Sequence, residues 1–326
     1  MRLETATLWL DTCLAPIASY LERSDITDIW INRPGEIWIE ALGGEIEHHE
    51  VAQLTSTLLS RMVRQIAAVT AQGINRSHPI MSAHLPTGER VQVIMPPATR
   101  EHIAIAIRKH AMASMVLDDY RSNDGLISKR LTAPDQTGQQ PADAIRADFV
   151  ELLRSGIKGR LNILISGGTA TGKTTFLNAL LREIPPSERL ILIEDTPELQ
   201  LTHDNSVGLL ATRGSLGEAA VTTEDLLIAS LRMRPDRIIL GEIRGPEAAT
   251  FLRAVNTGHP GSISTIHADS STRAIEQLAL LVLQTGMRMT WEEVVGYVER
   301  SLDFIVQLHR GPNGRGITEI LHCKRR

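Results

Sequence analysis

One octapeptide constrains this chain more than any other feature. Residues Gly167–Thr174 read GGTATGKT, which fits G-x-x-x-x-G-K-[ST]. The apolar run Asn162–Ser166 before it has the length and composition of a short buried strand. Lys173–Arg182 after it reads as a helix. A strand, a glycine loop and a helix in that order make a phosphate cradle. Glycines let backbone N–H groups turn inward around phosphate oxygens. The helix N-terminus adds a partial positive charge. In such a cradle Gly167, Gly168, Thr169, Ala170, Thr171, Gly172 and Thr175 wrap the phosphates. Lys173 would bridge the β- and γ-phosphates of ATP, and Thr174 would hold Mg2+.

Such a loop needs a sheet behind it, and the flanking sequence supplies one. From about residue 147 strands alternate with helices. Leu190–Ile193 reads as a second strand, Arg237–Leu240 as a third and Ser262–His267 as a fourth. Helices are expected at Thr223–Arg234, where Thr222 and Asp225 are spaced as a capping box, and at Pro246–Thr257. This alternation implies an α/β domain with a mostly parallel sheet wrapped by helices. The tail adds a helix opened by Thr290 and Glu293, then a hairpin of Asp303–Leu308 and Ile317–His322 turning through GPNGRG.

The chain is 326 residues long, enough for about two domains. Residues 1–117 have the pattern of a smaller N-terminal α+β domain. Thr7–Arg23 carries Leu8, Cys13, Ile17 and Leu21 at helical spacing. TDIWINRPGEIWIE alternates Ile29, Ile31, Ile37 and Ile39 around the turn sequence Asn32–Gly35, which predicts a hairpin. A helix is expected over Val51–Ala71, and three strands near Ile80–His84, Glu89–Met95 and Ile103–Arg108. Residues 118–146, rich in Asp, Gln, Gly, Pro and Ser, read as a partly ordered linker. Residues 147–326 form the P-loop domain.

Composition removes several function classes. Hydrophobic residues make up 42% and charged residues 22%, which excludes a collagen-like or disordered chain. The net charge of −4 and 3% aromatics give no global footprint for nucleic acid. Cys13 and Cys323 cannot build a zinc ribbon or a disulfide framework. The longest apolar run, Leu278–Leu283, is far shorter than the roughly 18 residues of a membrane helix. The N-terminus lacks a secretory pattern. The expectation is a cytoplasmic protein, attached at most peripherally to a membrane.

Other segments offer catalytic groups. RIILGE delivers Glu242 at the C-terminal end of the third strand, where α/β sheets bind ligands. Gly241 stands where the common P-loop pattern has Asp. Glu242 could hold Mg2+ through water or polarise the attacking water. ILIEDTPEL puts Glu194 and Asp195 at the end of the second strand, where one carboxylate could act as general base. In NTGHPGSISTIHADS, His267 could donate to the γ-phosphate, and His259 could cap a loop. Arg90, Arg108, Arg213 and Arg244 could neutralise phosphate charge.

Together these stretches resemble the secretion superfamily of P-loop ATPases, and more narrowly the VirB-type traffic ATPases of type IV secretion and conjugative DNA transfer. GGTATGKTT, ILIEDTPEL, RMRPDRIILGEIRGPEA and NTGHPGSISTIHADS match the family's Walker A, Asp box, Walker B and His box in order. TDIWINRPGEIWIE and LPTGERVQVIMPP match its N-terminal patterns. The resemblance implies a RecA-like C-terminal domain and a ring-shaped homohexamer that binds ATP and Mg2+ between its two domains. It implies pilus assembly or substrate transfer as the task, in contact with inner-membrane components and other ATPases of the apparatus. By motif, Glu194 would be the catalytic carboxylate, Glu242 the Walker B carboxylate and His267 a γ-phosphate sensor. Arg90 and Arg108 match N-terminal arginines that reach the terminal phosphates, and Arg213 matches a loop arginine. Alternatives are a pilus-retraction or type II secretion ATPase, a nucleotide-gated scaffold and a ring helicase.

Overall fold

In the computed structural model, residues 9–42, 44–70, 72–109, 115–120, 130–132, 149–211, 221–311 and 314–323 are described. Isoleucine alternation builds the first of its two compact units. Six antiparallel strands line up in the order β3-β2-β1-β6-β5-β4. They are β1 (Ile26–Ile31), β2 (Glu36–Ala41), β3 (Ile46–Glu50), β4 (Ile80–His84), β5 (Arg90–Ile94) and β6 (Ala104–Arg108). Ile29, Ile31, Ile37 and Ile39 point to one face and are fully buried. Helix α1 (Ser56–Val69) contributes Leu59, Met62, Val63 and Ile66 to the same core.

The expected hairpin and the three later strands are present, while β3 was not foreseen. Its sequence IEHHE has one apolar residue, and Ile46 is exposed at the sheet edge. Helix α1 starts at Ser56 rather than Val51, because the Thr55 side chain accepts the Leu58 N–H and caps it there. The single helix expected over Thr7–Arg23 is interrupted. Pro16 sits in a tight 3-10 turn, Ala15–Ile17, before a short helix Ala18–Glu22.

The second unit holds an eight-stranded sheet ordered β10-β9-β11-β12-β8-β13-β14-β7. Its strands are β7 (Arg130–Thr132), β8 (Ile163–Ser166), β9 (Leu190–Glu194), β10 (Ser206–Leu210), β11 (Arg237–Ile243), β12 (Ile263–Ile266), β13 (Phe304–Gly311) and β14 (Gly314–His322). The run from β10 to β13 is parallel throughout. The β13–β14 hairpin is antiparallel and pairs as far as Gly311 with Gly314, beyond the expected strand ends.

Neighbouring strand residues serve opposite faces. Ile163, Ile165, Leu190 and Leu192 enter one core, and Leu164, Ile191 and Ile193 the other. Helices α2 (Phe149–Lys158) and α3 (Lys173–Leu181) cover the first face. The second face is covered by α4 (Thr223–Ser230), α5 (Glu247–Asn256), α6 (Ser271–Gln284) and α7 (Trp291–Ser301). A sheet buried on both faces explains why its strands read as continuous apolar runs. This is the α/β architecture expected, with the antiparallel first unit beside it in the chain.

Four details depart from the sequence reading. Helix α4 ends at Ser230, four residues early, and Arg234 sits at φ 54. Pro235 follows it and disfavours helical geometry in the residue before. Strand β11 runs through Gly241 and Glu242 to Ile243, so Glu242 is part of the strand. Tyr120 is buried in the second unit's core and β7 pairs with β14, so residues read as linker also build this unit, as does Leu117, read as the end of the N-terminal domain. Helices α2 and α6 and strand β10 went unread. Among the described residues no helix is long and apolar enough to cross a membrane.

Candidate active site

The C-terminal ends of β8, β9, β11 and β12 converge on the glycine loop. Strand β8 ends at Ser166, and residues 167–172 turn into α3. Two glycines are needed for that turn. A Cβ on Gly167 would stand 2.5 Å from Thr171 Oγ1 and 3.2 Å from the Leu308 carbonyl oxygen. Gly172 has φ 89, a left-handed conformation that glycine adopts at little cost. Ala170 is also left-handed, at φ 59. Thr171 Oγ1 donates to the Gly168 carbonyl at 3.0 Å and closes the loop on itself. Thr175 follows Thr174 in the first turn of α3.

Lys173 folds back over this loop. Its Nζ donates to the carbonyls of Gly167 at 2.7 Å and Gly168 at 3.2 Å, and lies 3.0 Å from Nδ1 of His267. An ammonium has three donors, so all three are engaged. Nδ1 of His267 must accept this bond, which leaves the proton on Nε2. That nitrogen is 3.2 Å from Thr169 Oγ1. Burial holds Lys173 below the ordinary lysine range, and the charges of Glu242 and Glu198 oppose that shift.

A second cation bridges the neighbouring strand ends. Arg244 pairs with Asp195 Oδ2 at 2.7 Å through one nitrogen and with Glu242 Oε2 through the other. Glu242 Oε1 lies 3.9 Å from Nδ1 of His267. Gly241 explains why no side chain stands at the usual aspartate position of this strand. A Cβ there would lie 3.2 Å from the Cβ of Glu194.

Glu194 is differently placed. It is buried at the end of β9, and its Oε2 accepts the backbone N–H groups of Glu198 at 2.9 Å and Leu199 at 3.0 Å. Burial pushes its carboxyl up to about 7, although the two backbone donors pull the other way. Sequence reasoning missed Glu198. Its Oε2 accepts the Thr174 hydroxyl at 2.8 Å. The signal available was position: Glu198 lies four residues past Glu194 in ILIEDTPEL, the segment already singled out.

Thus Lys173, Thr169, His267, Glu242, Asp195 and Arg244 form one contact network, and Thr174 and Glu198 adjoin it. His259 lies at the opposite end of β12 from His267, where its carbonyl accepts from Ser262 Oγ at 2.9 Å. Arg90 and Arg108 belong to the first unit and stand opposite each other in register on β5 and β6. Asp28 and His84 continue that row on β1 and β4. Arg213 falls outside the described residues.

The donors fit a small hard cation. Thr174 Oγ1, Glu198 and Glu242 offer oxygen, the chemistry Mg2+ prefers. Among the described residues no group of three or more His, Cys, Asp or Glu could hold a metal by itself. Mg2+ is usually held by one or two protein groups together with substrate phosphates.

Residues 11–315 match the family described as Type II/IV secretion system protein. A type IV secretion system protein VirB11 of Bartonella henselae is 36% identical over 98% of this chain and 94% of its own length. The VirB11 protein of Brucella suis is 37% identical over 94% of this chain and 88% of its own. The crystal structure of the Brucella suis VirB11 ATPase, in complex with sulphate, covers 98% of this chain and 96% of its own, with 34% identity and a TM-score of 0.51. The chain therefore belongs to the type II/IV secretion system protein family and, within it, to the VirB11-type secretion ATPases, which makes it a nucleotide-binding, ATP-hydrolysing enzyme.

Proposed function

We propose that this protein is a Mg2+-dependent homohexameric ATPase that powers pilus assembly and/or substrate transfer in a type IV secretion or conjugation apparatus. It works at the cytoplasmic face of the inner membrane, against inner-membrane components and other ATPases of the apparatus. The observation that carries this reading is the resting position of Lys173. Its three donors rest on two loop carbonyls and a histidine. Phosphate oxygens can replace these acceptors one for one, so binding exchanges partners without first stripping the ammonium.

The assigned roles follow from that exchange. The loop Gly167–Thr175 and Lys173 bind the β- and γ-phosphates, and Arg90, Arg108 and Arg213 add charge to the terminal phosphates. Thr174 and Glu242, the latter through water, are the groups for Mg2+. When bound, the ion would supply positive charge against the negative charge that builds on the phosphates in the transition state. Glu194 takes a proton from the attacking water, whose oxygen bonds to the γ-phosphorus as the bond to ADP breaks. A carboxyl near pH 7 is well matched to that task. His267, released from Lys173, reports on the γ-phosphate.

Native mass spectrometry and phosphate release together test the reading. Wild type should assemble as a hexamer and turn over ATP only with Mg2+. Glu242→Gln should keep the hexamer and bind ATP, while turnover falls at least about 10²-fold, the scale set by general acid–base groups. A monomer in all nucleotide states would refute the ring. Normal turnover in Glu242→Gln would refute the site.

A further inference from the structure

We infer that Gln307 is a positioning residue for His267: with Ser166 it clamps the carbonyl that follows the histidine and so fixes the approach of the ring to the γ-phosphate. This rests on the reading that His267 meets that phosphate. Strand β12 pairs with β8 as far as Ile266, opposite Ser166, and His267 is the first residue past that ladder. Its side chain is half-exposed. The backbone beyond it is held at the Ala268 carbonyl, which accepts from Ser166 Oγ at 3.3 Å and from Gln307 Nε2 at 3.3 Å. The two donors come from neighbouring strands, where Gln307 of β13 stands opposite Ser166 of β8.

The amide is suited to this contact and gives up something for it. Gln307 is 5% exposed, and its Nε2 also donates to the Leu308 carbonyl at 3.1 Å. Both amide hydrogens are therefore committed to carbonyls. Turned over, the amide would set Oε1 against two carbonyl oxygens, so its orientation is fixed by the acceptors around it. Oε1 is left as a buried acceptor with no hydrogen-bond partner among the described residues. An apolar side chain would fill the same space without that penalty. The Leu308 carbonyl lies 3.2 Å from where a Cβ on Gly167 would stand, so one NH2 group touches carbonyls beside both the P-loop and the histidine. Strand β14 bulges at the same level. Gln307 pairs with Glu319 and Leu308 with Ile317, which leaves Thr318 as an extra residue whose hydroxyl donates to the Gln307 carbonyl at 3.3 Å. Bulges of this kind bend a strand and re-aim side chains beside active sites.

Loss of one neutral hydrogen bond changes an equilibrium about 2–10-fold. Gln307 should therefore govern how strongly ATP is preferred over ADP, and not how well ADP binds. The test uses the full chain with Mg2+, and measures the affinities of ADP and of a non-hydrolysable ATP analogue by calorimetry. Gln307→Met keeps the length of the side chain and removes both donors. It is expected to cut the ratio of analogue affinity to ADP affinity about 2–10-fold while leaving ADP affinity unchanged. Ser166→Ala, which removes the other donor with little change of shape, should move the ratio in the same direction. In a His267→Ala background, Gln307→Met should leave the ratio where His267→Ala alone puts it, because both act on one contact.

Three results would overturn the inference, and they are distinguishable. A wild-type ratio in Gln307→Met, with the preference lost in His267→Ala, removes Gln307 and keeps His267 as the group that meets the γ-phosphate. A wild-type ratio in His267→Ala removes the reading of His267 itself. An equal loss of affinity for both nucleotides in Gln307→Met, or an effect on the ratio undiminished by His267→Ala, makes Gln307 a general brace of the strand ends. Should Gln307→Met fail to fold, Ser166→Ala decides, and a wild-type ratio there rejects the clamp.

Discussion

At one end of the second sheet Arg237 is fully buried, and at the other Arg244 remains partly exposed, although each guanidinium meets carboxylates. Arg237 Nε and one terminal nitrogen hold both oxygens of Glu188, at 2.7 and 2.9 Å. That terminal nitrogen also reaches the Ile157 carbonyl at 2.8 Å. Gly261 must be glycine beside it, because a Cβ would stand 2.8 Å from the guanidinium. The pair ties together residues before β9, at the start of β11, before β12 and in α2. At the C-terminal end the contacts of Lys173 and Arg244 are to side chains and carbonyls that an anionic ligand can replace. Charge that is dry and fully paired resists exchange, because either partner left alone meets a large desolvation penalty. Charge that is half-solvated can change partners. The fold uses the first kind to fix the strand starts and the second to work.

The largest contrast comes from truncating one group at each end. Lys173→Ala should abolish measurable ATP hydrolysis, a loss of at least about 10²–10³-fold by analogy with preorganised electrostatic groups, and leave the melting temperature near wild type. Near-normal turnover would break the comparison at its working end.

Glu188→Ala should do the reverse. Removing one member of a buried pair costs about 3–5 kcal/mol, since Arg237 is left charged without its carboxylate. Denaturant unfolding would measure it, and a loss under about 1 kcal/mol would show that the pair is not as dry as its burial implies.

Glu194 sharpens the contrast, being buried like Glu188 yet shifted the opposite way. Glu188 is held below the usual carboxylate range by Arg237, whereas burial pushes Glu194 up to about 7 from 4.5. A raised folded-state value means Glu194 favours folding when protonated. Its contribution is full below about 4.5 and is lost as pH rises through about 7. About 2.5 units correspond to roughly 3 kcal/mol. Glu194→Gln should remove that pH dependence of stability and slow turnover at least about 10²-fold. Parallel stability–pH curves for the two proteins would contradict the assignment.

Arg90 and Arg108 test the smallest effect. Like charges directly opposite on neighbouring strands are destabilising. Asp28 stands opposite Arg108 on its other side and offsets that repulsion, so either alanine variant should stay within about 0.5 kcal/mol of wild type. If these arginines bind terminal phosphates, turnover at saturating ATP should still fall about tenfold, the value of one charged hydrogen bond. Wild-type kinetics in both variants would leave them as surface residues.

What could be read from the chain follows the range of the forces involved. The P-loop, its strand and its helix are local, and so are the Ile29–Ile39 hairpin and the start of the last helix at Thr290 and Glu293, where the structure adds a capping box. Short apolar runs located the strands that carry Glu194 and Glu242. Apolar pattern failed elsewhere. The uniform LALLVL run hid α6, the polar edge strand β3 gave no apolar alternation, and the edge strand β10 is only the short run SVGLL. The P-loop also fixed the class of fold, because a glycine loop between strand and helix has few other supports. Tertiary structure alone decided which carboxylates meet which cations. Glu198 reaches Thr174 across 24 residues, and His267 reaches Lys173 across 94. Such contacts depend on strand order and register, which set distances that no local preference encodes.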